Sequence, residues 1–239
     1  MTSNHTSNEP GRPAEQAPVL TIDGPSGAGK GAASACVAEA LGWHLLDSGA
    51  VYRSVAVAAL DRGVAVDDEA ALVRLSADLD LAFQSGADGI EVVLDGRSVD
   101  ERLRSEEVSV ASSRVAAIPA VRKALLDLQR SFRRWPGLVA DGRDMGTIVF
   151  ADAPVKVFLH ASVEERARRR YKQLKDKGES VIFSRLFRDL EERDRRDRER
   201  AVAPTVPAAD AEVIDSTSMP LAAVVERILE IVRKRLARS

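Results

Sequence analysis

The stretch "GPSGAGKGAAS", residues 24–34, stands one aspartate after the apolar run "VLTI", and its reading decides the fold. Residues 18–23, closed by Gly24, have the length and apolar continuity of a short buried strand, and "GKGAASACVAEALG" has the texture of a helix that stops at Gly42. Between them, Gly24, Gly27 and Gly29 can take backbone angles closed to other residues, letting successive N–H groups turn inward around an oxyanion. A helix starting near Lys30 aims its positive dipole end and free N–H groups at the same point. Lys30 adds a mobile charge. "GPSGAGK" thus fits the G-x-x-x-x-G-K pattern of a phosphate-binding loop, in the strand–loop–helix setting that the pattern requires; an ordinary glycine turn is the alternative. The candidate loop comprises Gly24, Pro25, Ser26, Gly27, Ala28, Gly29, Lys30, Gly31 and Ala32. The pattern usually continues with a Ser or Thr hydroxyl that helps to hold Mg²⁺, and Gly31 and Ala32 offer none. No metal ligand is therefore assigned to the protein itself: Mg²⁺ would be held by phosphate oxygens and water, with Ser26 or Ser34 as alternative hydroxyls.

Working outward, "WHLLDSGAVYRSVAVAALDRG" reads as a short strand, a turn and a helix ending at Gly63. "GLVADG" (137–142), "VKVFLHA" (155–161) and "AEVIDS" (211–216) look like further buried strands. Each is short and followed by helical periodicity, which argues for a five-stranded parallel sheet covered by helices. Ligands bind such sheets at the carboxyl ends of the strands. Between about 79 and 100 the texture changes to short strands separated by "QSGADG" and "DG", the signature of an antiparallel insert. Two helices follow, roughly 105–117 and 119–132, and the chain is helical and arginine-rich from 162 to 200.

Bulk properties narrow the function. The 239 residues carry 35 Lys plus Arg against 37 Asp plus Glu, a formal net charge of −2 that gives no global attraction to nucleic acid or an anionic membrane. Cys36 is the one cysteine, so an internal disulfide is impossible and a reducing compartment is expected; as a free thiol in an alanine-rich helix it is expected to fill core space. Residues 1–17 are expected to be a disordered tail, with 18–239 forming a single domain. That tail lacks the regions of a signal peptide, and no apolar run reaches membrane-spanning length, so a cytoplasmic location without membrane contact is expected.

A second cluster of charge lies at the ends of neighbouring strands. "LLDSGAVYR" places Ser48 at a strand end and helix start, with Arg53 in that helix. Ser48 could be a plain N-cap, whereas the fixed fork of donors on Arg53 suits a second phosphate. "LVADGRDMG" places Asp141, Arg143 and Asp144 around Gly142. A structural ion pair would explain two of those charges but not why all three sit where ligands bind.

"GPSGAGKG", "LLDSGAVYR", "VADGRDMGT", "DAPVKVFLHAS" and "ERDRRDRERAVAP…PAAD" together resemble bacterial cytidylate kinases, from about residue 18 to the C-terminus. The resemblance implies a nucleoside monophosphate kinase on a P-loop NTPase core: a parallel sheet flanked by helices, an antiparallel NMP-binding insert at about 75–119, and an arginine-rich helical lid at about 164–200. It implies ATP and CMP or dCMP as substrates, with Mg²⁺. "GKG" is the family's usual loop, and Ala32 departs from its usual Thr or Ser. Arg53, Arg143 and Arg200 would grip the CMP phosphate with Ser48 nearby, and Asp141 would sit among them. Ser113, Arg122 and Asp144 would meet the cytosine, and Arg193 and Asp197 the ribose. The chemistry agrees, since an acidic acceptor beside a cationic donor separates the N4 donor of cytosine from the O4 of uracil. Without the resemblance, Arg122 is one helix arginine among many.

From 164 to 200 there are fourteen Lys or Arg and ten Asp or Glu, mixed at i, i+3 and i+4. A solvated, salt-bridged helix pair explains most of them. Nucleic-acid binding fits poorly, because no aromatics interleave the charges. A lid that brings arginines over the phosphates is the third reading, favoured by the resemblance. Arg170, Arg193 and Arg196 are its candidates, so that Lys30, Arg143, Arg193 and Arg196 form the expected catalytic set. A monomer is expected. Another small-molecule P-loop kinase, or a protein that holds nucleotide without turnover, are the rival functions.

Overall fold

The computed structural model describes residues 13–86, 89–103, 105–176 and 178–237; residues 1–12 of the expected tail and residues 87 and 88 of the expected insert lie outside these. Five parallel strands, β1 (Val19–Asp23), β2 (His44–Asp47), β6 (Leu138–Gly142), β7 (Val155–His160) and β8 (Glu212–Asp215), form one sheet in the order β2-β6-β1-β7-β8. Strands β3 (Leu81–Gly86), β4 (Gly89–Leu94) and β5 (Arg97–Ser98) form a separate antiparallel sheet. The expected five-stranded core and antiparallel insert are both present.

The main sheet has the register of a site-bearing edge. Asp23 pairs with Gly142 and Asp47 with Asp141, so three strands end level, each with an aspartate at or beside its last residue. Successive residues point to opposite faces. Val19, Leu138 and Ala140 pack on one side with α2 (Ser48–Asp61), α3 (Glu69–Ala77), α5 (Glu106–Val115), α6 (Pro119–Ser131) and the insert, while Leu20, Ile22 and Val139 pack on the other with α1 (Lys30–Leu41) and α9 (Leu221–Leu236).

Three features depart from the sequence-based expectations. The helical stretch from 162 to 200 is two helices, α7 (Val163–Asp176) and α8 (Phe183–Arg198), separated around Gly178, whose φ of +79° lets the chain turn out of the first. Cys36 is exposed rather than core. Helix α1 buries Lys30, Ala33, Ser34, Val37 and Ala38, an i, i+3, i+4, i+7, i+8 stripe that leaves Cys36 on the solvent side. Helix α3 lies where the sequence patterns mark no element; it is N-capped by Asp68, which accepts from Ala71 N at 2.9 Å, and the single turn α4 (Asp100–Leu103) follows β5.

Candidate functional site

The loop after β1 is held open by its glycines. Gly24 has φ +145°, and a Cβ there would lie 1.9 Å from the Leu159 carbonyl oxygen, so β7 approaches too closely for any side chain. Gly29, at φ +93°, caps α1 with no side-chain bond, which leaves the first amides of the helix facing the loop. Lys30 is only 6% exposed; its Nζ donates to the Pro25 carbonyl at 3.0 Å and stands 3.8 Å from Asp141 Oδ1. Burial, then the Arg143 cation, draws its pKa down to about 8 against the pull of Asp141, Asp47 and Asp23. Burial pushes Asp141 up to about 6, opposed chiefly by Lys30. Ala32 lines a cleft of about 550 Å³ bounded by Gly29, Arg169 and the segment from Ser216 to Leu221. Ser34 is fully buried and does not line that cleft.

The underside of the loop is bolted down by residues that the sequence does not single out. Arg166 of α7, 2% exposed, donates to the Ser26 carbonyl at 2.8 Å and the Ala161 carbonyl at 2.9 Å, and grips the Asp194 carboxylate of α8 with both terminal nitrogens. Arg169 donates to Ser216 O at 2.7 Å, and the Ser216 hydroxyl donates to Ala28 O at 3.1 Å. The Ser26 and Ala28 carbonyls are thereby satisfied from behind, on the side away from a ligand at the loop amides.

On the other side of Asp141 lies a cluster of guanidinium groups. Asp47 caps α2 through Ala50 N at 3.0 Å and holds Arg53 at 2.8 Å. Ser48 is buried beneath, and a Cβ on Gly142 would meet its hydroxyl at 2.8 Å. Arg143 reaches Asp197 at 3.4 Å, and Arg200 holds the other oxygen of that carboxylate at 2.8 Å. Burial, with Arg143 and Arg53 nearby, draws Arg193 down to about 10, and burial with Arg122 and Arg143 also lowers Arg200. The Nε atoms of Arg193 and Arg200 are buried with no acceptor. Cations that suppress one another's charge and keep donors idle can be relieved by a multiply charged oxyanion. Beside them Arg122, over the Tyr52 ring at 5.3 Å, forms a buried pair with Asp144. Helix α8 closes onto α5 through Arg193 to Ser109 at 3.0 Å and Arg196 to Ser113 at 2.9 Å.

The cytidylate kinase family model matches residues 20–234. The chain belongs to the cytidylate kinase family. It is 58% identical over 222 residues to the cytidylate kinase of Aeromonas salmonicida, covering 93% of this chain and 96% of that one. It is 59% identical over 220 residues to that of Klebsiella pneumoniae, covering 92% and 97%. Among solved structures, a shikimate kinase from Acinetobacter baumannii aligns over 93% of this chain and 98% of its own, at 20% identity and a TM-score of 0.41.

In this family member the residues picked out from sequence divide into four groups. Gly24 to Gly29 form the loop, with Lys30 to Ala32 as the first turn of α1, and Ser48, Arg53, Asp141 and Arg143 at the carboxyl ends of β2 and β6 gather with Arg193 and Asp197 of α8 and Arg200 just after it. Arg122 and Asp144 are paired, with Arg122 also donating to Ala116 O at 3.1 Å. Arg196 is instead held by Ser113 and by Glu192 at 3.2 Å, and Arg170 lies 3.9 Å from Glu106 on α5, so both face the insert rather than the loop. Sequence reasoning missed Arg166, Asp194, Arg169, Ser216 and Ser109. None of the five carries a signal in the sequence: Arg166 and Arg169 are two of fourteen basic residues between 164 and 200. No three His, Cys, Asp or Glu side chains converge as a metal site among the described residues.

Proposed function

We propose that the protein transfers the γ-phosphoryl group of ATP to CMP or dCMP, giving ADP and CDP or dCDP. One observation carries the reading: Asp141 stands 3.8 Å from Lys30 of the phosphate loop and is acted on by Arg143 and Arg53 of the guanidinium cluster, so two anion-holding groups share one sheet edge. In-line transfer between two bound phosphates needs that arrangement and little covalent work from the protein. Gly24 to Ala32 hold the donor phosphates and Lys30 follows the moving phosphoryl. Arg53, Arg143 and Arg200 hold the acceptor phosphate over Ser48; Arg193 and Asp197 meet the ribose; Ser113, Arg122 and Asp144 read the cytosine. The segment 75–119 serves as the acceptor-binding insert and 164–200 as the lid. Arg193 and Arg196 act from the lid, Arg196 by drawing α8 down onto Ser113. Mg²⁺ comes in with ATP, held by phosphate oxygens and water, as suits an ion that dehydrates reluctantly. The enzyme is monomeric in this reading, and its nucleotide substrates support a cytoplasmic location.

The test is ADP formation from MgATP with CMP, dCMP, UMP and AMP in turn, each against a control without acceptor. Rapid turnover with CMP and dCMP alone is expected. Turnover with a different acceptor would move the protein to a neighbouring kinase. ATP binding without product would make it a nucleotide-holding protein, the outcome that Ala32 favours.

The lowered pKa of Lys30 has a kinetic consequence. In the free protein it is charged below about 8 and loses the proton above, so kcat/KM for ATP is expected to hold level to about pH 8 and then fall about tenfold per pH unit. Lys30→Arg stays charged and should lack that fall at whatever activity it keeps. A parent profile flat to about pH 9.5, a unit below the ordinary lysine pKa, would show that Lys30 is not the titrating group.

A further inference from the structure

Asp23 ends β1 and precedes the phosphate loop, yet its carboxylate is bonded to the Met145 and Gly146 amides of another segment. It is 4% exposed, with Oδ1 accepting from Met145 N and Oδ2 from Gly146 N, each at 2.8 Å. Those two amides open a π-helical turn, Met145–Val149. The residue placed to cap that turn is Asp144, which makes no cap bond because its carboxylate is turned to Arg122. An aspartate preceding a helical turn ordinarily folds back onto the turn's own amides. Here the neighbouring strand does that in its place. The approach is close: a Cβ on Gly146 would lie 2.7 Å from Thr21 Oγ1 and 3.3 Å from Asp23 Oδ2. The arrangement is also unfavourable for Asp23 itself. Burial pushes its pKa up to about 7, the two amides and Lys30 opposing and the charge of Asp144 adding to the rise. A second carboxylate beside Asp144, on a strand whose other residues are Val, Leu, Thr and Ile, is not what packing alone would select.

We propose that Asp23 is a positioning residue for acceptor choice: by capping Met145–Val149 from β1 it leaves the Asp144 carboxylate free to pair with Arg122, and so sets the preference for CMP over UMP. The inference rests on the substrate reading given above. Without the cap the Gly146 amide, the second of the turn, is freed for Asp144 to fold back onto, and the cationic and acidic pair that separates N4 from O4 is lost.

The experiment compares the parent with Asp23→Asn and Asp23→Ala, measuring kcat and KM for CMP and UMP at saturating ATP, and KM for ATP at saturating CMP. The expected result is a CMP kcat/KM lower by about tenfold or more, mostly through KM. The CMP-to-UMP ratio should shrink by a similar factor and KM for ATP change by less than about threefold. Ile231→Val, a core change in α9, controls for lost stability and should leave the ratio unmoved. An unchanged ratio in both Asp23 variants, or a KM for ATP that rises as much as that for CMP, would overturn the inference. If Asp23→Ala does not fold, Asp23→Asn decides, since it keeps the shape but meets one of the two amides with an NH₂ group. Parent turnover of CMP is measured first. Silence there overturns the substrate reading instead, and the cap is then judged by hydrogen exchange at the Met145 and Gly146 amides. Exchange faster by about tenfold in Asp23→Asn would uphold it, and unchanged exchange would overturn it.

Discussion

Lys30→Met is expected to lower kcat with CMP by about a hundredfold to a thousandfold, the range seen when one electrostatic donor is removed from a transition state. Methionine matches the length and apolar stem of the lysine, and the side chain is almost fully buried, so the loop should keep its shape. The loss should not come from unfolding. The ammonium sits where burial and Arg143 disfavour its charge, with a pKa drawn down to about 8 from 10.5, so at pH 7 the folded state binds that proton less tightly than the unfolded chain does. Removing the charge lifts that burden, but it also takes from buried Asp141 the cation that chiefly opposes its own burial, so the two effects offset. The expected variant is therefore nearly inactive with a Tm close to that of the parent, and steady-state kinetics beside a melting curve would check both halves. Parental kcat would remove Lys30 from the reaction.

Arg166→Met should have the largest effect on stability. The guanidinium satisfies two carbonyls and both oxygens of Asp194, and its loss leaves a buried carboxylate with no partner, which costs about 3–5 kcal/mol. For a chain of this size that is a fall in Tm of roughly 10 °C. Denaturant titration reads it directly, and the double variant Arg166→Met with Asp194→Leu should recover most of the loss, because an apolar pair replaces the ion pair without stranding a charge. Activity should not return with stability. Ser26 O would still lack its donor, and α8, which carries Arg193, Arg196 and Asp197, would no longer be tied to the phosphate loop. A single variant as stable as the parent would show that Asp194 finds another partner.

These two residues differ sharply in how legible they are. Lys30 is fixed by local chemistry: a buried strand, glycines at positions needing unusual angles, and a helix start, all within a dozen residues. The same locality made the main strands readable, since strands covered on both faces are short apolar runs, and it marked the charged ends of β2 and β6. Arg166 is one of fourteen basic residues in a segment patterned like a solvated helix. Only the approach of Gly27, where a Cβ would lie 3.2 Å from the Arg166 Cβ, makes it a buried strut, and that contact joins residues far apart in the chain. Asp23 is hidden for the same reason, as its partners are 122 and 123 residues away. Cys36 was misjudged because composition marks a residue type as suited to the core, whereas the turn of α1 decides which face that residue is on.

The two sides of the sheet hold separate apolar clusters. One joins α2, α3, α5 and α6 with the small antiparallel sheet, and the other joins α1 and α9 with β7 and β8. The molecule is thus modular across its own midplane. A designer could exchange the segment from α3 to α6 for one shaped to a different acceptor without repacking the helix that carries the donor loop. The seam to be preserved is the apolar face of the sheet under that segment together with a few polar links: the Asp23 carboxylate with its two amides, Asp141 beside Lys30, Arg122 with Asp144, and Arg193 and Arg196 on Ser109 and Ser113. Drift in acceptor choice along a lineage could run along the same seam, changing one half while the other stayed intact.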